Sequence, residues 1–394
     1  MDFFICCDRI LGIMKKYDVI ILGAGAAGLS AAAQATQRGL RVAVLDMGHT
    51  PARKVLASGG GKCNITNTAA TRDKYFGQNP DFVRGALSRV SPTDILNWAH
   101  GHNIKLYEKS QGRFFCVDGA EAVVRALMHD AAGADIFCET QVTGISKSGD
   151  MFYVNDMCAK SVIVATGGIS FGVYGVSDVG YKIAKKFGHR IISPRPALCA
   201  LAIKNWPGDL AGISIPVEIM VGGLKIKDSM LFTHFGIGGP ATYRASLGDT
   251  AQGMQINLMP ECDVWQILRD VKRTNGRRTV VGILSEYLPA RIAKWIVGDD
   301  TRRIADIKDT ELKTFAECTN AVNIPGADIK YHNMASAEIT FGGVDTRDIS
   351  SKTMESKLCP GLFFAGEVID VAGDLGGFNL QWAWASGRVA GQNV

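Results

Sequence analysis

Apolar and polar positions near the start of the chain change period twice within thirty residues. Val19 to Leu22 is a short continuous apolar run, Gly23-Ala24-Gly25-Ala26-Ala27-Gly28 follows, then an alanine-rich stretch, and then a second apolar run, Val42 to Leu45, ending at Asp46. Short apolar runs bounded by glycine read as buried strands, and the stretch from Ala26 to Arg38 as a helix. Beyond it the pattern predicts a helix from Asp94 to His102, a hairpin around Gln111-Gly112-Arg113, a helix from Ala120 to Ala132 and a strand from Asp135 to Cys138. Gln141 to Ile145 alternates and predicts a further strand. Ser161 to Ala165 is a buried strand running into Thr166-Gly167-Gly168, and Gly175 to Gly188 supplies another glycine-rich turn and helix.

The pattern shifts near Ile191. Ala200 to Lys204, Val217 to Val221 and Met254 to Leu258 alternate and are separated by Gly and Pro, which predicts a small antiparallel β-domain over 191–260. Residues 261–320 read as helical, with Trp265, Ile267, Leu268, Val271, Ile283, Leu284, Tyr287 and Leu288 at amphipathic spacing and their aromatics expected in the core. Leu231 to Pro240 is expected to be a loop opening a helix. Residues 321–340 return from the insertion and 341–394 rejoin the first domain, 14–190, behind an N-terminal extension, 1–13. In the returning part, Leu362-Phe363-Phe364-Ala365-Gly366-Glu367 is a buried strand ending in Gly-Glu. Asp370, Asp374, Gly376 and Gly377 follow, then a helix from Leu380 to Ala390.

Composition narrows the class without naming it. A chain of 394 residues that is 47% apolar can bury a large core. Its net charge of +5 comes from 43 basic and 38 acidic residues, so no nucleic-acid or membrane partner is expected. Lys272, Arg273, Arg277 and Arg278 read as a solvated helix end. The ten cysteines show no C-x-x-C pair and no zinc spacing, which predicts reduced cytoplasmic thiols and no metal. Phe3-Phe4-Ile5-Cys6-Cys7, bracketed by Asp2 and Asp8, is neither a signal peptide nor a membrane span.

The chemistry lies in the glycines. Gly23 allows a tight turn, Gly25 removes the side chain that would hold off a pyrophosphate, and Gly28 lets helix and strand approach. Ala26, Ala27 and Gly28 offer first-turn amides to an anion. Asp46, with Met47 beside it, stands 23 positions after Gly23, where a carboxylate accepts ribose hydroxyls and favours FAD or NAD over a 2′-phosphate. The polar loop Ser58 to Asn67, expected to be neither helix nor central strand, contributes Gly61, Lys62, Cys63 and Asn64, with Arg53 and Lys54 just before it. Cys63 reads as a small side chain in a tight loop, because no partner cysteine is near in sequence. The strand end Ala165-Thr166-Gly167 abuts the nucleotide. Gly366 and Glu367 are placed to bond a ribityl chain, and Gly377, Phe378, Asn379 and Leu380, at a helix N-terminus, to face the pyrimidine edge of a flavin, stabilising its reduced form. His234 is the histidine singled out for chemistry. His49, His100, His102, His129, His189 and His332 are expected in surface or satisfied-core roles without carboxylate company.

Arg53-Lys54 with Ser58 to Asn67, Leu231 to Pro240, Thr353-Met354-Glu355-Ser356-Lys357 and Phe364 to Gly387 closely resemble the BaiN-type NAD(P)/FAD-dependent oxidoreductases, also described as aminoacetone-oxidase-family FAD-binding enzymes. The resemblance extends over nearly everything from Tyr17 onward. It implies an α/β fold: a Rossmann-like FAD-binding domain built from both chain ends, with an inserted β-barrel-like domain and a helical subdomain. Carried over by motif, it implies FAD contacts at Ala26, Asp46, Arg53, Lys54, Cys63, Asn64, Val142, Gly366, Glu367 and Asn379. One segment departs: where relatives carry Thr-Gly-Ser-Thr-Gly-Asp-Gly-Tyr, this chain has Tyr174-Gly175-Val176-Ser177-Asp178-Val179-Gly180-Tyr181.

The expected function is an FAD-dependent oxidoreductase passing a hydride between flavin N5 and a small organic substrate or NAD(P)H, the substrate approaching between flavin domain and insertion. A single dinucleotide fingerprint makes NAD(P)H a transient electron donor without a domain of its own. His234 and Asp374 are the candidate side-chain acids or bases. The resemblance implies either reduction of conjugated double bonds in steroid-like bile acids or oxygen-dependent oxidation of aminoacetone. The alternatives are a flavoprotein acting on nucleic acid and a non-catalytic flavin-binding sensor.

Overall fold

Seven strands gather around the glycine turn. The computed structural model describes residues 14–172 and 176–394; expectations placed on 1–13, Tyr174 and Gly175 lie outside the described residues. The chain divides into two units, one running to Arg195 and resuming at Thr340, the other Pro196–Ile339.

In the first unit the sheet order is Asp135–Phe137, Val42–Leu45, Lys15–Leu22 and Met157–Val164, all parallel. Past Met157–Val164, Met151–Val154 pairs antiparallel with its first half and Leu362–Phe364 pairs parallel with its second. Leu22 lies opposite both Leu45 and Val164, and Val164 opposite Phe364, so Gly23, Asp46, Ala165 and Ala365 leave the sheet at one level. Ligands bind beyond such carboxyl ends.

The two chain ends are held together by small residues. A Cβ added at Gly387 or Gly391, on the C-terminal helix Phe378–Asn393, would fall 2.2 Å from the carbonyl oxygens of Ala27 and Ala31 on the helix Ala26–Gln37. Two wholly buried indoles complete the join, Trp382 Nε1 donating to Gly366 O at 3.1 Å and Trp384 Nε1 to Ile65 O at 2.9 Å.

Three local expectations change. Gln141 to Ile145 is not a strand: the ladder begins at Ser146–Ser148. The amides just before the segment are spent on the strand-end loop, Glu139 N on Gly48 O and Thr140 N on Asp46 O, both at 2.9 Å. Its alternation reflects a half-buried Val142 and a core Ile145. The polar loop is more ordered than expected. Ser58–Gly61 makes a tight turn with Gly59 and Gly60 in left-handed backbone, and Asn64–Asn67 becomes an edge strand beside Arg113–Cys116, which is the middle strand of that small sheet. Leu231 to Gly238 is a hairpin, Leu224–Thr233 against Gly236–Gly238, with His234 and Phe235 at its turn; the helix Gly239–Ala245 does follow.

The second unit is an antiparallel sheet in the order Val322–Ile324, Met254–Asn257, Ser214–Val221, Leu224–Thr233, Gly236–Gly238, Leu201–Ile203, Ile329–Tyr331. Helices Val264–Thr274, Val280–Leu284, Ala290–Val297 and Asp309–Asn320 share its core. Trp206, Phe232 and Trp295 cluster there. Tyr287 does not join them and is 49% exposed. The helix before it ends at Leu284, so the helical phase that would have turned it inward is lost. Among the described residues no helix is long and apolar enough to cross a membrane.

His189 is buried against Phe364, with Nε2 2.8 Å from Ser356 Oγ. Burial lowers its pKa, against the opposing charge of Asp348. Below about pH 6.5 the unfolded chain takes a proton that the folded ring resists, so stability falls as pH drops through that range. The melting temperature of His189→Gln should therefore decline less than that of the wild type between about pH 7.5 and 5.5. Parallel declines in the two proteins would contradict this.

Candidate functional site

Steric space around the three glycines separates their roles. Gly23, at φ +105°, would place a Cβ 2.4 Å from Ala165 O, and Gly28 would place one 1.9 Å from Gly23 O. A Cβ on Gly25 would meet nothing within 4 Å. The first two glycines serve the fold, while the third keeps space open in front of a helix N-terminus. That helix, Ala26–Gln37, starts with no side-chain cap and no acidic residue in its first turn. Leu29 N bonds back to Gly25 O at 3.0 Å, so the amides of Ala26, Ala27 and Gly28 are left to an incoming anion.

Asp46 closes the turn from the neighbouring strand. Its Oδ2 accepts from Ala24 N at 2.7 Å, and its Oδ1 accepts from Gly48 N at 2.7 Å and from Arg53 Nη2 at 3.3 Å. The cleft of about 80 Å³ beside it is lined by Gly23, Asp46, Met47, Arg53, Val142 and Thr166, all candidate contacts from the sequence, and also by Leu22, Leu45, Thr140, Gln141, Ser177 and Val179. Sequence reasoning named none of these last six as contacts. Ser177 and Val179 fall in the segment that departs from the family pattern, so the departure was the available signal. Thr166 Oγ1 is buried there without a hydrogen-bond partner.

A second cluster sits at the end of Leu362–Phe364. Glu367 Oε2 pairs with Lys54 Nζ at 3.0 Å; its Oε1 accepts from Ser170 Oγ at 3.0 Å and from Thr340 N at 2.8 Å. Thr340 Oγ1 in turn accepts from the amides of Ile169 and Ser170, at 2.9 and 3.0 Å. Lys54 and Glu367, each expected to touch cofactor, are thus bonded to one another, and Ser170 and Thr340, which no motif marked, complete a clamp on the backbone after Gly167 and Gly168. Gly366 lies against Ala27, and its amide hydrogen bonds to Ser386 Oγ at 2.9 Å.

The third part is the start of the C-terminal helix. Its cap is Gly377 at φ +98°, where a Cβ would strike Thr66 backbone at 2.7 Å, and its first turn holds no acid. Asn64, in the orientation that satisfies its amide, accepts from Gly377 N at 3.1 Å and donates to Phe114 O at 3.2 Å. Asn379 binds Gly373 through both its amide groups, at 2.8 and 2.9 Å, so it shapes the loop that carries Asp374. Asp374 is 5% exposed and accepts from Leu375 N at 2.7 Å. Phe378 is buried edge-on to Tyr75, Leu380 is half-buried, and Gly61 and Lys62 are exposed. His234 is exposed on the insertion's hairpin turn.

Two expectations about partners are corrected. Cys63 does have a cysteine beside it: pairing of Asn64 with Phe115 puts Cys63 opposite Cys116, both fully buried. A hydrogen bond between the thiols holds that of Cys63 below its ordinary pKa, while the same bond with burial drives that of Cys116 well above. His102 and His129 do have a carboxylate: Asp130 follows His129 directly in the chain, and tertiary packing brings His102 to it.

Taken as donors and spaces, the site fits a dinucleotide such as FAD. It offers free first-turn amides behind an open Gly25, a fixed carboxylate at ribose distance along the chain, and a second uncapped helix start with no acid to repel an anion. Asp46→Ala should weaken FAD binding by roughly 1–3 kcal/mol, with Asp46→Asn losing less because it can still accept from Ala24 N. Fluorescence titration of the apoprotein with FAD measures both.

Comparison with known proteins matches residues 17–393 to the family described as HI0933-like protein Rossmann domain. A protein of Escherichia coli (strain K12) named ribosomal RNA dihydrouridine synthase is 34% identical over 403 residues, covering 97% of this chain and 98% of its own. Its namesake in Haemophilus influenzae is 38% identical over 396 residues, covering 95% and 97%. A 3-dehydro-bile acid delta(4,6)-reductase of Clostridium scindens is 26% identical over 403 residues, covering 94% and 97%.

Proposed function

The chain belongs to the HI0933-like Rossmann family of FAD-dependent oxidoreductases, and from that premise we propose that it reduces a carbon–carbon double bond conjugated to a carbonyl, with a uracil ring of RNA as its substrate. The observation that carries this reading is the likeness, over nearly the whole chain, to two proteins named for forming dihydrouridine in ribosomal RNA. Dihydrouridine differs from uridine by one hydride and one proton added across C5=C6, a bond conjugated to the C4 carbonyl. The bile-acid reductase is named for the same kind of addition to a conjugated ketone. Addition of a hydride and a proton across a double bond conjugated to a carbonyl is what the two reactions share.

Bound FAD would supply hydride transfer at N5, with NAD(P)H as the electron source. The chain's own part is to bind and orient. The Ala26, Ala27 and Gly28 amides would hold phosphate, Asp46 would accept ribose hydroxyls, and the first turn of Phe378–Asn393 would supply donors and a positive dipole end that favour a reduced, electron-rich ring. The clamp of Lys54, Glu367, Ser170 and Thr340 fixes the backbone beside it. The near-neutral charge balance, on which a nucleic-acid partner was set aside, says nothing about one flipped base entering a pocket.

The test has two stages. Anaerobic NADH or NADPH should bleach the yellow protein. Ribosomal RNA incubated with protein and that donor, then digested to nucleosides, should yield uridine heavier by two hydrogens. A 3-keto-4-ene steroid run in parallel should keep its ultraviolet absorption. Loss of the steroid band with unchanged RNA would replace the RNA substrate by a small enone, and no bleaching by either donor would remove NAD(P)H as the reductant.

A further inference from the structure

We propose that His102, His129 and Asp130 form a binding site for a zinc-class divalent metal ion on the first unit. The three residues arrive from two helices. His102 caps the C-terminus of Pro92–Gly101, and His129 and Asp130 end Ala120–Asp130. Two helix C-termini, each the negative end of a dipole, therefore converge on one point, which favours a cation.

The donor atoms are spaced as ligands of one ion. His102 Nε2 lies 3.0 Å and His129 Nδ1 3.4 Å from the same oxygen, Asp130 Oδ1, and all three lie within 4.8 Å of one another. A tetrahedron with bonds of about 2.0–2.1 Å has edges of about 3.3 Å, so two of the three edges are already formed. The third closes by rotation of the His129 ring, whose side chain is 79% exposed.

What surrounds the cluster also suits a metal. Asp130 Oδ2 accepts from Trp98 Nε1 at 2.6 Å, which orients the carboxylate and leaves Oδ1 as a single ligand. The His102 ring packs on Trp98 with centroids 5.2 Å apart, and both His102 and Asp130 side chains are about one-fifth exposed, at 21% and 20%. Three protein ligands leave a fourth position open to water. Two imidazoles select zinc, nickel or copper over magnesium or calcium. Arg388, whose guanidinium lies 5.8 Å from the Trp98 ring centroid, is the neighbouring cation and works against any ion held by charge alone.

Isothermal titration of the EDTA-stripped, reduced full chain with zinc chloride tests this. Wild type should take up one ion that His129→Ala and Asp130→Asn bind at least tenfold more weakly, while Cys318→Ala, at an exposed thiol, matches wild type. Zinc should also raise the melting temperature of wild type and not of His129→Ala. Equal uptake by wild type and His129→Ala, or uptake abolished by Cys318→Ala alone, would overturn the site and leave only histidine–aspartate ion pairs.

Discussion

Gly25→Val should fold and lose its FAD, while Gly28→Val should fail to form the nucleotide-binding unit at all. Gly25 has φ −82° and ψ −169°, ordinary extended backbone, with open space where its Cβ would go. A valine there costs about 1 kcal/mol as a poor helix cap and fills the position in front of the Ala26, Ala27 and Gly28 amides. Gly28 differs because its absent Cβ is 1.9 Å from the Gly23 carbonyl oxygen. No rotamer relieves a backbone contact, so helix and strand must part and the turn is lost. Circular dichroism and flavin content separate the two. Gly25→Val that keeps stoichiometric flavin would refute the phosphate position, and Gly28→Val that melts like wild type would refute the packing.

The second large effect lies on the same C-terminal helix, beyond its cofactor-facing first turn. Gly387→Val and Gly391→Val each drive a side chain into the Ala26–Gln37 backbone, and each should cost about 3 kcal/mol or more, the upper part of the overpacking range. Together they should approach the whole stability of a domain, about 5–15 kcal/mol. They share one interface, so their effects will not simply add. Denaturant midpoints for the single and double variants measure this. A double variant within 1 kcal/mol, an effect of roughly the size surface substitutions show, would mean that the two chain ends are not held by this contact. Flavin loss should follow the same order, because Gly366 lies against Ala27, between the two helices.

Much of this was legible along the chain because it depends on neighbours in sequence. The strand, glycine turn, helix and Asp46 form one local unit in which each residue type has a steric or electrostatic reason, and in the structure Asp46 Oδ2 accepts from Ala24 N within that turn. The same holds for the hairpin Leu106–Glu108 with Arg113–Cys116 and for the buried run from Ser161, which forms the second half of the strand Met157–Val164. Where periodicity misled, the cause was local too. Gln141 to Ile145 alternates for a cleft and not for a ladder, and Tyr287 follows a helix that stops early.

By itself the sequence determined the nucleotide unit, because it rests on contiguous residues whose backbone conformation and spacing are set within a few positions, while the resemblance of its long motifs pointed to the family and to the return of the C-terminal segment. Only the tertiary structure decided that Lys54 pairs with Glu367, that Cys63 faces Cys116, that His102 meets Asp130 and that Gly387 and Gly391 are packing surfaces. Those partners lie tens to hundreds of positions apart, and nothing in a residue's own neighbourhood says which distant side chain folding will bring against it.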